Sequence, residues 1–182
     1  NLTMSVRIDE ALSIGVRALV FLVLLMPLAV TGTFPFPGDD TLFPFIVGKA
    51  IYARFLIELS FAAWLILAMR NASYRPPRSW VLWLFGIWVL ASFVAAVMGV
   101  SFQKSFWGDF RRMGGVFDLV HWLGFLIVLV SMFRNPREWN WLLNATLAVG
   151  LVVSLLGLIQ YFEIRLFPRY LWYLQSAERI DS

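Results

Sequence analysis

The sequence predicts an all-α, polytopic membrane protein with about five transmembrane helices and an interfacial C-terminal segment. Three observations carry that reading. Apolar residues make up 60% of the 182 residues and charged residues only 14%, against about 45–50% and about 25% in soluble domains. The apolar residues fall in runs of about 20, the length that crosses a hydrocarbon core. Those runs are continuous rather than alternating, which favours helices over barrel strands, the two structures that satisfy a backbone in lipid. The mean hydropathy of +0.77 agrees; a soluble core of this size would not hide so much apolar surface.

The first run, Ala11 to Thr31, is expected to be a span or an uncleaved signal anchor. It is too long for a cleaved signal peptide, and no small-x-small cleavage site follows it. The second runs from Ile46 to Met69. The third, Trp80 to Val100, contains no charge at all. The fourth and fifth run from Val116 to Phe133 and from Trp139 to Tyr161. Together they make one helical bundle over residues 1–161. Trp80, Trp83, Trp107, Trp122, Trp139, Trp141 and Trp172 fall near run ends, as in an interfacial aromatic belt. Residues 162–182 contain EIRLFPRYLWYLQ, too charged and too short to span, and are expected to lie on the membrane surface. The chain begins with Asn and ends in a polar SAERIDS, and is expected to be a piece of a longer protein.

Orientation follows from the connections. RNASYRPPRS (70–79) carries three arginines and no acid, and RNPRE (134–138) two arginines and one glutamate. The positive-inside rule places both in the cytoplasm, with the N-terminus. Connections 32–45 and 101–115 and the tail then face outward. Lys104, Arg111, Arg112, Arg165, Arg169 and Arg179 become outward cations that ask for a reason. The Asn-x-Ser/Thr patterns at Asn71 and Asn144 fall in an inner loop and inside a span, so both read as chance.

Composition also excludes functions. With no cysteine there is no disulfide, thiolate metal site or cysteine nucleophile, and His121 as the single histidine argues against an all-protein zinc or haem site. A net charge of +4 is too small and dispersed for nucleic acid and suits anionic lipid or an anionic substrate. No cofactor is expected.

Ionisable groups inside spans are costly, which makes them candidates. Lys49, Arg54 and Glu58 lie in the second run, and Arg54 and Glu58, four apart, share a helix face. One reading is an ion pair that holds this helix against a neighbour. The other is that Lys49 and Arg54 attract an anion, with Glu58 positioning Arg54. Asp118 and His121, three apart, share a face of the fourth run; they form either a proton relay or a satisfied histidine near the interface. Arg111 and Arg112 sit at the mouth of that run beside Gly114 and Gly115. Guanidinium forks suit phosphate oxygens, and glycines let backbone N–H groups approach an anion. The plain alternative is an amphipathic connector anchored by Phe102, Phe106, Trp107 and Phe110.

Two stretches resemble a known family. TLFPFIVGKAIYARFLIELSFAAWLILAM (41–69) is similar to the second-span region of O-antigen ligase/polymerase-like membrane proteins, through Phe43, Pro44, Phe45, Gly48, Lys49, Arg54 and Glu58. SFWGDFRRMGGVFDLVHWLGF (105–125) resembles the family's S-F-W-x-x-x-x-R-x-x-G loop through Ser105, Phe106, Trp107, Arg112 and Gly115. The closing ERIDS looks like the start of a further family segment. The resemblance covers about residues 40–182 and implies the N-terminal half of a bacterial inner-membrane enzyme. Such an enzyme transfers or polymerises glycan from an undecaprenyl-pyrophosphate carrier on the periplasmic face, without a metal. It implies that Lys49, Arg54, Arg111 and Arg112 meet the pyrophosphate, supported by Glu58, Asp118 and His121. The family's catalytic histidine lies in a later loop, and His121 does not take its role. The alternative is a non-catalytic membrane subunit or assembly factor of a larger membrane complex. A transporter fragment is disfavoured, since neither repeat symmetry nor a pair of broken helices is visible.

Overall fold

A computed structural model describes residues 2–31, 35–36, 44–109 and 114–161. Helices dominate: α1 (Leu2–Leu24), α2 (Pro44–Arg70), α3 (Trp80–Met98), α4 (Phe102–Trp107), α5 (Val116–Met132) and α6 (Pro136–Tyr161). Besides two short 3-10 turns there are two strands of two residues each, Val30–Thr31 and Pro35–Phe36, paired in parallel.

The first run is shifted from its expected position. Its helix covers Leu2–Leu24 and stops short of Thr31. Pro27 supplies the reason: it lacks the N–H that an α-helix would need and clashes with the preceding turn. The chain tightens into a 3-10 turn at Met26–Leu28, with the Leu25 N–H donating to the Leu22 carbonyl at 3.1 Å. The other four runs become helices within three residues of the expected bounds.

Among the described residues three helical stretches are long and apolar enough to cross a membrane: Gly48–Arg70, Trp80–Met98 and Pro136–Ile159. This is the signature of a membrane protein. The apolar α5 has 17 residues, about 26 Å at 1.5 Å per residue, somewhat under a hydrocarbon core of about 30 Å. Arg7, Asp9, Glu10 and Arg17 interrupt α1, which is not among the three.

The core lies where α1, α2 and α5 meet, around Val16, Val20, Leu67 and Val128, all fully buried. Two contacts make α1 antiparallel to α2: Arg70 pairs with Asp9 at 2.6 Å, and the Tyr52 hydroxyl donates to the Leu22 carbonyl at 2.8 Å. In contrast, α5 runs parallel to α2. Arg54 meets Asp118, Glu58 meets His121, and the Phe61 ring lies against Gly124, so both residue numbers climb together. A Cβ at Gly124 would lie 3.5 Å from the ring, an ordinary contact, so the packing here does not depend on glycine.

The two arginine-bearing connections share one end of the bundle. The Arg134 guanidinium donates to the Arg75 carbonyl at 2.6 Å, and the Trp64 indole N–H to the Tyr74 carbonyl at 3.0 Å. Arg75 and Arg134 also reach the Ala68 and Ser131 carbonyls in the last turns of α2 and α5, where cations complement the helix dipole. Arg17 of α1 pairs with Glu138 of α6 at 2.9 Å and lies over the Phe133 ring. Along the outer sides of α3 and α6 large apolar side chains stand uncovered, among them Trp80, Leu84, Leu147 and Leu151; lipid tails can cover such surface at no hydrophobic cost.

Packing rather than water exclusion should therefore decide which leucines matter. Leu67→Ala is expected to cost about 2 kcal/mol, the lost-contact share of a core truncation. Leu147→Ala, at a side chain 70% exposed, should stay within about 0.5 kcal/mol. Denaturation in mixed micelles compares the two.

Candidate functional site

The ionisable residues of α2 and α5 pair between helices, not within them. Arg54 is 8% exposed. Its Nε and Nη2 donate to one oxygen of Asp118, at 3.2 and 2.9 Å. The second oxygen of Asp118 accepts the Trp122 indole N–H at 3.0 Å, a contact one turn along the same helix. Asp118 also stands in the first turn of α5, where the dipole favours a carboxylate. Glu58 reaches His121 instead, with Oε1 2.8 Å from Nε2. The His121 Nδ1 lies 2.7 Å from the Phe117 carbonyl.

Of the alternatives the sequence left open, this arrangement matches a helix-to-helix ion pair, with Asp118 rather than Glu58 as the partner of Arg54, and a histidine satisfied near the start of α5 by the Phe117 carbonyl and Glu58. The reason is reach: residues four apart on one helix lie side by side, but an inward-facing pair on a neighbouring helix offers shorter, better-aligned contacts.

Phe117 joins the parts. Its ring lies 4.5 Å from the His121 ring and 4.8 Å from Trp107, and the Arg54 guanidinium carbon is 5.5 Å from its centroid. A cation beside an aromatic face gains further stabilisation when desolvated. Sequence reading had singled out neither Phe117 nor the Asp118–Trp122 bond. The one available signal was spacing: Phe117 and His121, and Asp118 and Trp122, are each four apart.

Trp107 belongs to α4, a helix of six residues. Ser101 caps it, its hydroxyl accepting the Lys104 N–H at 3.4 Å. The helix ends at Gly108, whose φ of +79° suits glycine and whose N–H donates to the Lys104 carbonyl at 2.8 Å. A Cβ at Gly108 would meet the Gly115 nitrogen at 2.6 Å, and one at Gly115 would collide with the Phe106 carbonyl. The tight approach in this loop is thus backbone on backbone. Gly114, by contrast, has open space around it.

Lys49 is half-buried on α2. Five residues separate it from Arg54, which turns the two side chains about 140° apart around the helix, so they do not form one cationic patch. Arg111 and Arg112 lie outside the described residues, as do Phe110, Phe43 and residues 162–182. Among the described residues no group of three metal-ligating side chains comes together.

No protein-family model, curated protein or solved structure matches this chain.

Two predictions follow from the geometry. Asp118→Ala leaves a buried guanidinium without its carboxylate and should cost about 3 kcal/mol, while Arg54→Met with Asp118→Leu should recover most of it; a double-mutant cycle by denaturation in micelles reads the coupling. Gly115→Ala should dislodge α4 and speed tryptic cleavage at Lys104, whereas Gly114→Ala should leave the cleavage rate unchanged.

Proposed function

We propose that the chain is the N-terminal membrane portion of an O-antigen ligase/polymerase-like enzyme, acting on an undecaprenyl-pyrophosphate-linked glycan at the periplasmic face of the bacterial inner membrane. The observation that supports this reading is convergence. The two stretches that carry the resemblance, 41–69 and 105–125, are distant in sequence. They meet where Arg54 pairs with Asp118 at 2.9 Å and Trp107 packs on Phe117. That meeting point lies at the end of the bundle opposite the arginine-bearing connections.

On this proposal five helices cross the bilayer, α1 and the shorter α5 completing the set. The end carrying Arg70, Arg75, Arg78, Arg134 and Arg137 faces the cytoplasm. Lys49, Arg111 and Arg112 meet the pyrophosphate at the opposite boundary. Arg54, held by Asp118, is a pre-oriented donor whose second role is to fix α5 beneath the loop. Fixed cations at a departing pyrophosphate stabilise charge that grows in the transition state.

A non-catalytic subunit is the second reading. It is favoured by α6, where Leu147, Leu151, Leu155 and Leu158 remain exposed along most of its length, as a helix does that packs against partner helices. Purification separates the two. A stoichiometric protein partner without carrier lipid supports the subunit, and co-purifying carrier lipid supports the enzyme.

In the full-length protein, Arg112→Ala and Arg54→Ala are each expected to lower glycan transfer about 100-fold, the usual scale for removing one charge-stabilising donor. Transfer measured with lipid-linked glycan that stays at the parental rate in both variants rejects the enzymatic reading.

A further inference from the structure

We propose that Glu58 and His121 form a proton-binding site, one proton being held between Glu58 Oε1 and His121 Nε2 at the contact of α2 with α5. The inference rests on what each ring nitrogen faces. Nδ1 lies 2.7 Å from the Phe117 carbonyl oxygen, which only accepts, so Nδ1 carries a hydrogen. A neutral ring so arranged has a bare lone pair at Nε2. That lone pair is 2.8 Å from Glu58 Oε1. Two lone pairs at this distance repel, so one proton lies between them. Either the ring is imidazolium and Glu58 a carboxylate, or the ring is neutral and Glu58 a carboxylic acid. Both forms have the same proton count and no net charge, and the proton belongs to the pair rather than to either residue.

Burial gives the site a direction. The His121 side chain is 8% exposed and the Glu58 side chain 63%, so Glu58 is the open member of the pair. When the proton leaves to water, a carboxylate is left facing the Nε2 lone pair, and this contact between α2 and α5 turns from attractive to repulsive. A neutral pair also suits an apolar helix face better than an isolated carboxylate.

Among the described residues no other charged side chain is paired with Glu58 or His121. On the same two helices Arg54 and Asp118 neutralise one another a turn away, and Lys49 lies more than two turns earlier on α2. No titratable side chain occurs on α3. Lys104 of α4 and Asp109 just beyond it are exposed. On α1, Asp9 is engaged by Arg70, and Arg17 by Glu138; both pairs lie toward the arginine-bearing end.

The single histidine makes the test direct. Protein labelled with nitrogen-15 at histidine, in lipid nanodiscs, is followed by nitrogen NMR and by infrared spectroscopy of carboxyl groups through about pH 5 to 8, where histidine charge ordinarily changes. The expected spectrum shows Nδ1 protonated throughout. Any proton loss is one step seen at the same pH in the ring signal and in a carboxyl band. Glu58→Gln should abolish that band and move the Nε2 resonance, while Lys104→Gln should change neither. A neutral ring with bare Nδ1 in the parental protein, which needs no variant to detect, overturns the proposal. So does a Nε2 resonance unmoved by Glu58→Gln.

Discussion

An ionisable side chain inside an apolar helix bundle must find an opposite charge or give up its own. The alternative is several kcal/mol of uncompensated desolvation. Among the described residues Arg54 is strongly constrained, since it is buried and never deprotonates. Its pairing with Asp118 fixes both the register and the direction of α5 against α2. Once 54 meets 118 in a parallel pair, Glu58 falls opposite His121 and Phe61 opposite Gly124. Leu67 and Val128 join the same buried core further along the two helices.

That register also organises the loop above. Asp118 and His121 lie near the start of α5, and Phe117, just before Asp118, presents its ring to Trp107. The short α4 can reach that ring only if the chain returns in a very tight path, which Gly108 and Gly115 allow by removing the side chains that would collide. Aromatics and glycines in the 101–115 connection thus have separate duties: the glycines bring backbones together and the aromatics dock on α5.

At the opposite end the arginines act differently. Arg75 and Arg134 cover carbonyls that helix ends leave open, and Arg70 and Arg17 join neighbouring helices through Asp9 and Glu138. Arginine in these connections therefore serves helix termination and helix pairing as well as orientation in a membrane. Outward from the α1–α2–α5 core, α3 and α6 expose apolar faces that suit lipid or other helices.

Helix existence, approximate bounds and membrane character were determined by the sequence alone, because each depends on local composition and run length. Pro27 ended the first helix earlier than hydropathy suggested, since an apolar count is blind to one missing N–H. The faces were legible too: the spacing of Arg54 with Glu58 and of Asp118 with His121 showed that each pair points one way. Only the tertiary structure decided which residue pairs with which. Partner choice depends on the direction and register of two helices about 60 residues apart, and no periodicity within either helix contains that information. The result exchanged the expected partners, giving Arg54 to Asp118 and Glu58 to His121, and with that exchange the lone histidine acquired a proton to share.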